Sequence, residues 1–439
     1  MKTAGLLIAG ALCAFAASGD SFLIRNVDVY PVTGPPMPSA SVLVRDGRIA
    51  EVAPKIAPPK GIRVIEGKGL RIYPGMIDSA TDLGLSEVSS VRETVDTGEL
   101  GEFMPQLRAL VAVNPASEHF GVVRVNGITS AITLPGAGNP GTPGGRQFLS
   151  GQAALIHTAG RTWEEMAIEP SAAIQLNFPA MSRTGRGGMP AEVGPESPGA
   201  AGEGAAGQLR RAYDEQIRKL NQFFDEARRY QRARAANAPA LQRDLKYEAM
   251  IPVLEGKTPM AVSAGRATSI RDAVAFAEKQ QVKIVLLQPR DLQKVLPLLK
   301  EKNIPIVLGR VLALPPTRDD GYDAMHVLAA EAYKAGVKFA FGTFENQFVR
   351  NLPYEAAAAV AFGLPYEEAL KAITINPAQI WGAGDRLGSI EKGKWADLIV
   401  TDGDLLEIRT QVKHVFVKGR EIELSNRQTR LRELQSERP

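Results

Sequence analysis

Arg71-Ile-Tyr-Pro-Gly-Met-Ile-Asp78-Ser-Ala-Thr-Asp82 marks the place where the character of the chain changes. Everything upstream of it reads as β structure. Residues 22–30 alternate and run into Pro31, residues 41–45 and 48–52 flank the hairpin signal Asp46-Gly47, and residues 61–65 form another short strand. The same character returns at the far end, where residues 396–400 and 412–417 read as strands and Lys418-Gly419 closes the second. Neither end leaves room for a helix between its strands. Two all-β ends around a different middle predict one small β-sandwich domain, assembled from residues 19–72 and 386–425, with a polar tail at 426–439.

Downstream of the hinge, short runs rich in Val and Ile alternate with helical patterns. The runs are residues 71–78, 128–134, 153–157, 172–178, 260–263, 283–288, 305–309 and 338–342. Helical periodicity falls at 270–279, 291–302 and 322–335. Eight strands with intervening helices predict a TIM-like (β/α)8 barrel over residues 73–385, although the gap between the third and fourth runs is short for a helix. Residues 183–207, dominated by Gly, Ala, Pro and Ser, predict a flexible insertion. Residues 209–235 predict a long amphipathic helix carrying Leu209, Ile217, Leu220 and Phe224 near one face. Both follow the fourth strand, which puts them on the C-terminal face of a barrel, either as a lid or as a surface excursion.

Residues 1–18 have the form of a secretory signal. Lys2 precedes an apolar run from Leu6 to Ala17, and Ala14-Phe15-Ala16 fits a small-x-small cleavage pattern. The run is short of the roughly 20 apolar residues that span a bilayer, and no other stretch is long and apolar enough. The expected location is therefore outside the cytoplasm, periplasmic or secreted. Cys13 is the single cysteine, so cleavage after Ala16 leaves neither disulfides nor thiolate metal sites. Net charge is +4 with basic and acidic residues interspersed. The Arg228, Arg229, Arg232 and Arg234 cluster reads as a solvated helix face, and nucleic acid is not expected as a partner.

Three stretches resemble the amidohydrolase superfamily, in its imidazolonepropionase-like branch. Tyr73-Pro-Gly-Met-Ile-Asp78 resembles the entry to the first barrel strand, Ala369-Leu-Lys-Ala-Ile-Thr374 with Asn376-Pro-Ala378 the last barrel helix, and Leu387-Gly-Ser-Ile-Glu391 with Gly393 and Ala396-Asp-Leu398 the return to the β domain. The resemblance implies one or two divalent metals, normally Zn²⁺ or a similar ion, held by imidazoles and carboxylates at the C-terminal ends of the strands. Such a metal generates hydroxide from bound water to attack an amide-type carbon. The ligand positions are occupied by other residues here. Ala80 and Asp82 stand where a His-x-His pair is implied, Ser263 with Gly265 nearby after the fifth strand, Gln288 at the sixth, and Phe344 followed by Glu345 after Gly342-Thr343. The four histidines, His119, His157, His326 and His414, form no ligand pair at short spacing.

What remains at the expected mouth is Asp78, Asp82 and Glu345 as carboxylates, with His157 at the end of the third strand as the histidine placed for it. Asp82, His157 and Glu345 are the candidates for acid–base work. Asp78, Ala80, Asp82, Ser263, Gly265, Gln288 and Phe344 are expected to line the pocket, with no bound metal or other cofactor. Ser263 lacks a nucleophile elbow, and the glycine-rich residues 136–145 lack the ending of a phosphate loop. Two readings follow. One is a pseudoenzyme that binds a small-molecule ligand or a protein partner. The other is a hydrolase of carbon–nitrogen bonds in cyclic amides, with an atypical metal site or none. A homodimer, or pairing with a paralogue that keeps its ligands, is what the resemblance implies for assembly.

Overall fold

The computed structural model describes residues 21–136, 147–184, 190–192, 203–238, 241–315 and 320–436. The signal at 1–18, most of the insertion at 183–207 and nearly all of the glycine-rich stretch at 136–145 lie outside them.

At Gly75 the chain passes from one sheet to the other. Its N–H donates to the Asp397 carbonyl at 2.8 Å, and a Cβ there would stand 2.0 Å from Thr129 Oγ1. Only glycine admits that approach. The run expected at residues 71–78 is consequently two strands, β5 (Arg71–Pro74) in the terminal sheet and β6 (Met76–Thr81) in the barrel.

The terminal sheet has eight strands drawn from both ends of the chain. From the front come β1 (Phe22–Val29), β2 (Met37–Arg45), β3 (Arg48–Ala53), β4 (Arg63–Glu66) and β5; from the back come β16 (Leu398–Thr401), β17 (Val412–Val417) and β18 (Arg420–Ile422). The first half of β1 pairs with β4 and its second half with β5, the change falling at Asn26 with φ +57°. The sheet has a core of its own, including Phe22, Ile24, Val42, Ile72, Leu398 and Phe416. Tyr73, Ile399, Val415 and Val417 belong instead to the core shared with the barrel and its helices.

The barrel follows the order β6, β7 (Ile128–Thr133), β8 (Leu149–His157), β9 (Ala167–Asn177), β12 (Met260–Ser263), β13 (Ile284–Leu287), β14 (Ile306–Leu308) and β15 (Phe339–Phe341). The small pair β10 (Ser182–Thr184) and β11 (Pro190–Glu192) stands apart. All barrel pairings are parallel except those of β8, which is antiparallel to both β7 and β9. A parallel crossover needs a dozen or more residues. The short 158–166 link, with only the turn Trp163–Met166 helical, permits a reversal instead.

The barrel is filled by apolar side chains, among them Ile77, Ile132, Leu155, Val285, Leu287 and Val307. Trp381 closes the floor, its Nε1 donating to Ser79 Oγ at 2.7 Å. The helix Glu203–Ala235 packs along the barrel flank, not across its mouth. Phe224 meets Phe276 edge-on at 5.1 Å, and Tyr213 donates to Asp272 at 2.5 Å. Two expected helices are shorter than their patterns. Residues 291–302 form a 3-10 turn Leu292–Lys294 and a helix Leu296–Glu301, because Pro297 restarts the helix, and only Leu328–Ala335 of residues 322–335 is α-helical. His326 accordingly stands just before that helix, against Phe362.

Trp381→Phe removes a buried donor from Ser79 and leaves space at the floor, so a loss of roughly 2–4 kcal/mol in urea unfolding is expected. Ser79→Ala should cost about 1 kcal/mol. No loss in Ser79→Ala would show that the indole packs but does not bond.

Candidate functional site at the barrel mouth

The first and last barrel strands are joined by side-chain and backbone bonds above their paired regions. Asp78 is fully buried, and its Oδ1 accepts the N–H groups of Ala80 and Thr343, each at 3.1 Å. Thr343 Oγ1 donates to Asp78 Oδ2 at 2.5 Å. Phe344 N–H donates to the Ala80 carbonyl at 2.7 Å. Phe344 has φ +62° and is 5% exposed, with its ring in the apolar cluster that contains Ala80, Leu134 and Leu287. Gly342 is pressed so close that a Cβ on it would lie 2.9 Å from that of Ala80.

Asp82, half-buried, accepts the Asn346 N–H at 2.6 Å. Burial raises its carboxyl to about 6, opposed by its hydrogen bonds, with a small further rise from Glu345 and a small lowering from His119. Glu345 is exposed and accepts from Gln347 at 2.8 Å. Gln288 sits at φ +48°, its N–H donating to the Val307 carbonyl at 2.9 Å. The Gly265 carbonyl accepts from the amides of Arg290 and Asp291, at 2.9 and 3.0 Å.

Ser263 belongs to a polar network that the sequence reading missed. Its Oγ accepts from Gln175 Nε2 at 2.8 Å, and the same amide reaches Asn177 Oδ1 at 3.2 Å. Asn177 in turn donates to Ser150 Oγ at 2.9 Å and to the Gln147 carbonyl at 3.0 Å. Gln175 is wholly buried, and its Oε1 has no partner among the described residues. Two amides at alternate positions of an otherwise apolar run were the available signal, since a buried strand has few reasons to carry them.

His157 is not at the mouth. Because β8 runs against its neighbours, its end lies at the floor: His157 pairs with Ser130 near the start of β7, and its Nδ1 is 3.2 Å from Asp397 Oδ2 at the junction with the terminal sheet. The histidine whose charge reaches Asp82 is His119, at the start of the helix Glu118–Val125.

These residues do not fit the divalent metal that the resemblance implies. Ala80 and Phe344 offer no lone pair, Ser263 Oγ is engaged by Gln175, and Asp78 is committed to Thr343 and Ala80. Among the described residues no three His, Cys, Asp or Glu side chains gather as ligands.

Burial raises Asp78 to about 7 from an ordinary 3.8, its hydrogen bonds opposing the shift. The folded state thus holds the proton more tightly than the unfolded chain. That contribution to stability is complete below about pH 4 and is lost as pH rises through the folded value. In Asp78→Asn the amide oxygen can keep the two backbone bonds accepted by Oδ1, while its NH2 donates to Thr343 Oγ1, and the group does not titrate. Wild type should therefore lose stability relative to Asp78→Asn by up to about 1.4 kcal/mol per pH unit across that window. A pH-independent difference in urea unfolding would show that the carboxylate is ionised throughout.

Residues 289–422, the last part of the barrel and the return to the terminal sheet, match the model of the Amidohydrolase family. The chain is 26% identical over 445 residues to "Amidohydrolase tasK" of Hapsidospora irregularis, covering 91% of this chain but 43% of that one, so it spans less than half the length of this curated relative. Among solved structures, an amidohydrolase from Thermotoga maritima MSB8 superposes with TM-score 0.76 at 26% identity, over 92% of this chain and 99% of its own. Molinate hydrolase shares the fold at TM-score 0.54 and 17% identity, over 93% and 95% of the two chains. A barrel closed at Asp78, a terminal sheet built from both chain ends and matches that run across both parts have one common reading: the chain belongs to the amidohydrolase superfamily.

Proposed function

We propose that this chain is an exported, non-hydrolytic member of its superfamily, which uses the scaffold to bind a small-molecule ligand or a protein partner. The observation that carries the reading is the pairing of Ala80 with Phe344, an apolar contact buried where the resemblance implies metal ligands. A metal-bound hydroxide needs donors at that point, and neither side chain has one. The neutral amides and hydroxyls of Gln175, Asn177, Ser263 and Ser150 suit recognition of a polar group better than its hydrolysis.

A second reading has one observation in its favour. Asp82, with a carboxyl near 6, has the protonation behaviour of an acid–base group at neutral pH. It would make the chain a hydrolase of carbon–nitrogen bonds that works without the usual metal set.

Chain purified without chelator or nickel resin should carry substoichiometric Zn²⁺, Mn²⁺ and Ca²⁺ by elemental analysis. Added divalent ions should leave its melting temperature unchanged, since an ion that bound the folded state would raise it. Dipeptides and cyclic amides should not be turned over. Turnover abolished by Asp82→Asn would replace the binding reading with the second, and a full equivalent of metal would sink the first.

A further inference from the structure

A cavity of about 820 Å³ opens on the side of the molecule, reaching the floor end of the barrel at His157. It lies between the barrel floor, the helix Glu118–Val125 and the segment of the terminal sheet and tail from Val417 to Arg430. Its size is within the roughly 300–1,000 Å³ of sites that enclose small molecules. Four cations line it with no salt bridge within 4 Å among the described residues: Arg124, Arg161, Lys418 and Arg420, although Glu423 acts on Arg124 and Asp397 on Lys418 at longer range. Arg124 donates through one guanidinium nitrogen to the Thr158 carbonyl at 2.9 Å, while its Nε is buried with no partner. Lys418 is half-buried with its Nζ 4.6 Å from the Trp395 ring.

Most of the acidic groups at the cavity are already engaged. Glu118 accepts from Arg430 at 3.3 Å, Glu421 is held by Arg63 and by His414 at 2.6 Å, and Glu165 accepts the Arg161 amide at 3.0 Å. Glu423 is the remaining carboxylate, placed to interact with Arg124. A second observation is independent of this charge balance. His157 forms part of the inner wall, is 1% exposed, and has no hydrogen-bond partner for its Nε2 among the described residues. A buried imidazole and a buried guanidinium nitrogen left unbonded are costly unless something fills the space in front of them. Pro115, Ala159, Val417 and Ile422 add apolar wall.

We propose that this cavity binds a small organic polyanion, with at least two carboxylate or phosphate groups, held by Arg124, Arg161, Lys418 and Arg420 with His157 behind it. Arginine and lysine together suit such groups, the first through paired donors and the second as a point charge. The inference does not rest on the reading of the mouth, because the two sites share no residue.

Calorimetric titration of the full chain with citrate and with phosphoglycolate tests it. At least one should bind at one site per chain, and which of them binds identifies the anionic group. Arg161→Ala combined with Arg420→Ala, both at the exposed rim, should weaken binding about tenfold or more with an unchanged melting temperature. Lys418→Met should do the same, while Asp82→Asn at the mouth should have no effect. Failure of both probes to bind at millimolar concentration overturns the proposal. So does equal affinity in the rim variants, or a loss caused by Asp82→Asn alone.

Discussion

The Asp78 carboxylate bonded to Thr343 is the interaction on which the arrangement depends. The strand order runs from β6 round to β15 without a ladder between those two, so the barrel has a seam. A seam exposes unpaired backbone groups, and buried ones must find partners. Asp78 supplies two acceptor oxygens there, and the Phe344 amide supplies a donor to Ala80. The local bonds also fix the mouth. Asp82 and Asn346 are joined by the next bond along the same seam, which sets the loops that follow both strands.

The two ends of the barrel consequently differ in kind. At the mouth the polar groups bond to one another, as Gln175, Asn177, Ser150 and Ser263 do, and the centre is filled by Phe344. At the floor the reversal of β8 brings His157 against Asp397, and Gly75 lets the terminal sheet approach closely. Two of the residues here with a buried polar atom lacking a hydrogen-bond partner among the described residues, His157 and Arg124, line a cavity.

The architecture was legible because hydrophobic period and turn chemistry are local signals. Alternation around Asp46-Gly47 and the Val- and Ile-rich runs of the middle are visible without any knowledge of neighbours. Strand direction is not local in that way. The run ending at His157 has the same composition whichever way it points, so the sequence reading sent that histidine to the wrong end of the barrel. The one hint was the short stretch before residue 172, too small for a crossover helix. The division of residues 71–78 at Gly75 depends on the closeness of Thr129, a contact between residues far apart in sequence. Ala80 and Phe344 could be read as lost donors, but their contact with each other could not.

That pairing bears on how the seam is held where the resemblance implies metal ligands. The resemblance implies an ion bound by side chains following both the first and the last strand, and such an ion would tie the seam together. Removing its ligands one at a time would leave polar groups and space at the centre, each at a cost. Phe344 offsets this by burying a large ring in the apolar cluster that also holds Ala80, a gain of roughly 1.5–3 kcal/mol. Its left-handed backbone is held by the same amide bond that spans the seam. The apolar cluster and the amide bond thus tie the first and last strands together at this point. The polar network of Gln175 and Asn177 takes no part in that tie and is left to answer to whatever the mouth contacts.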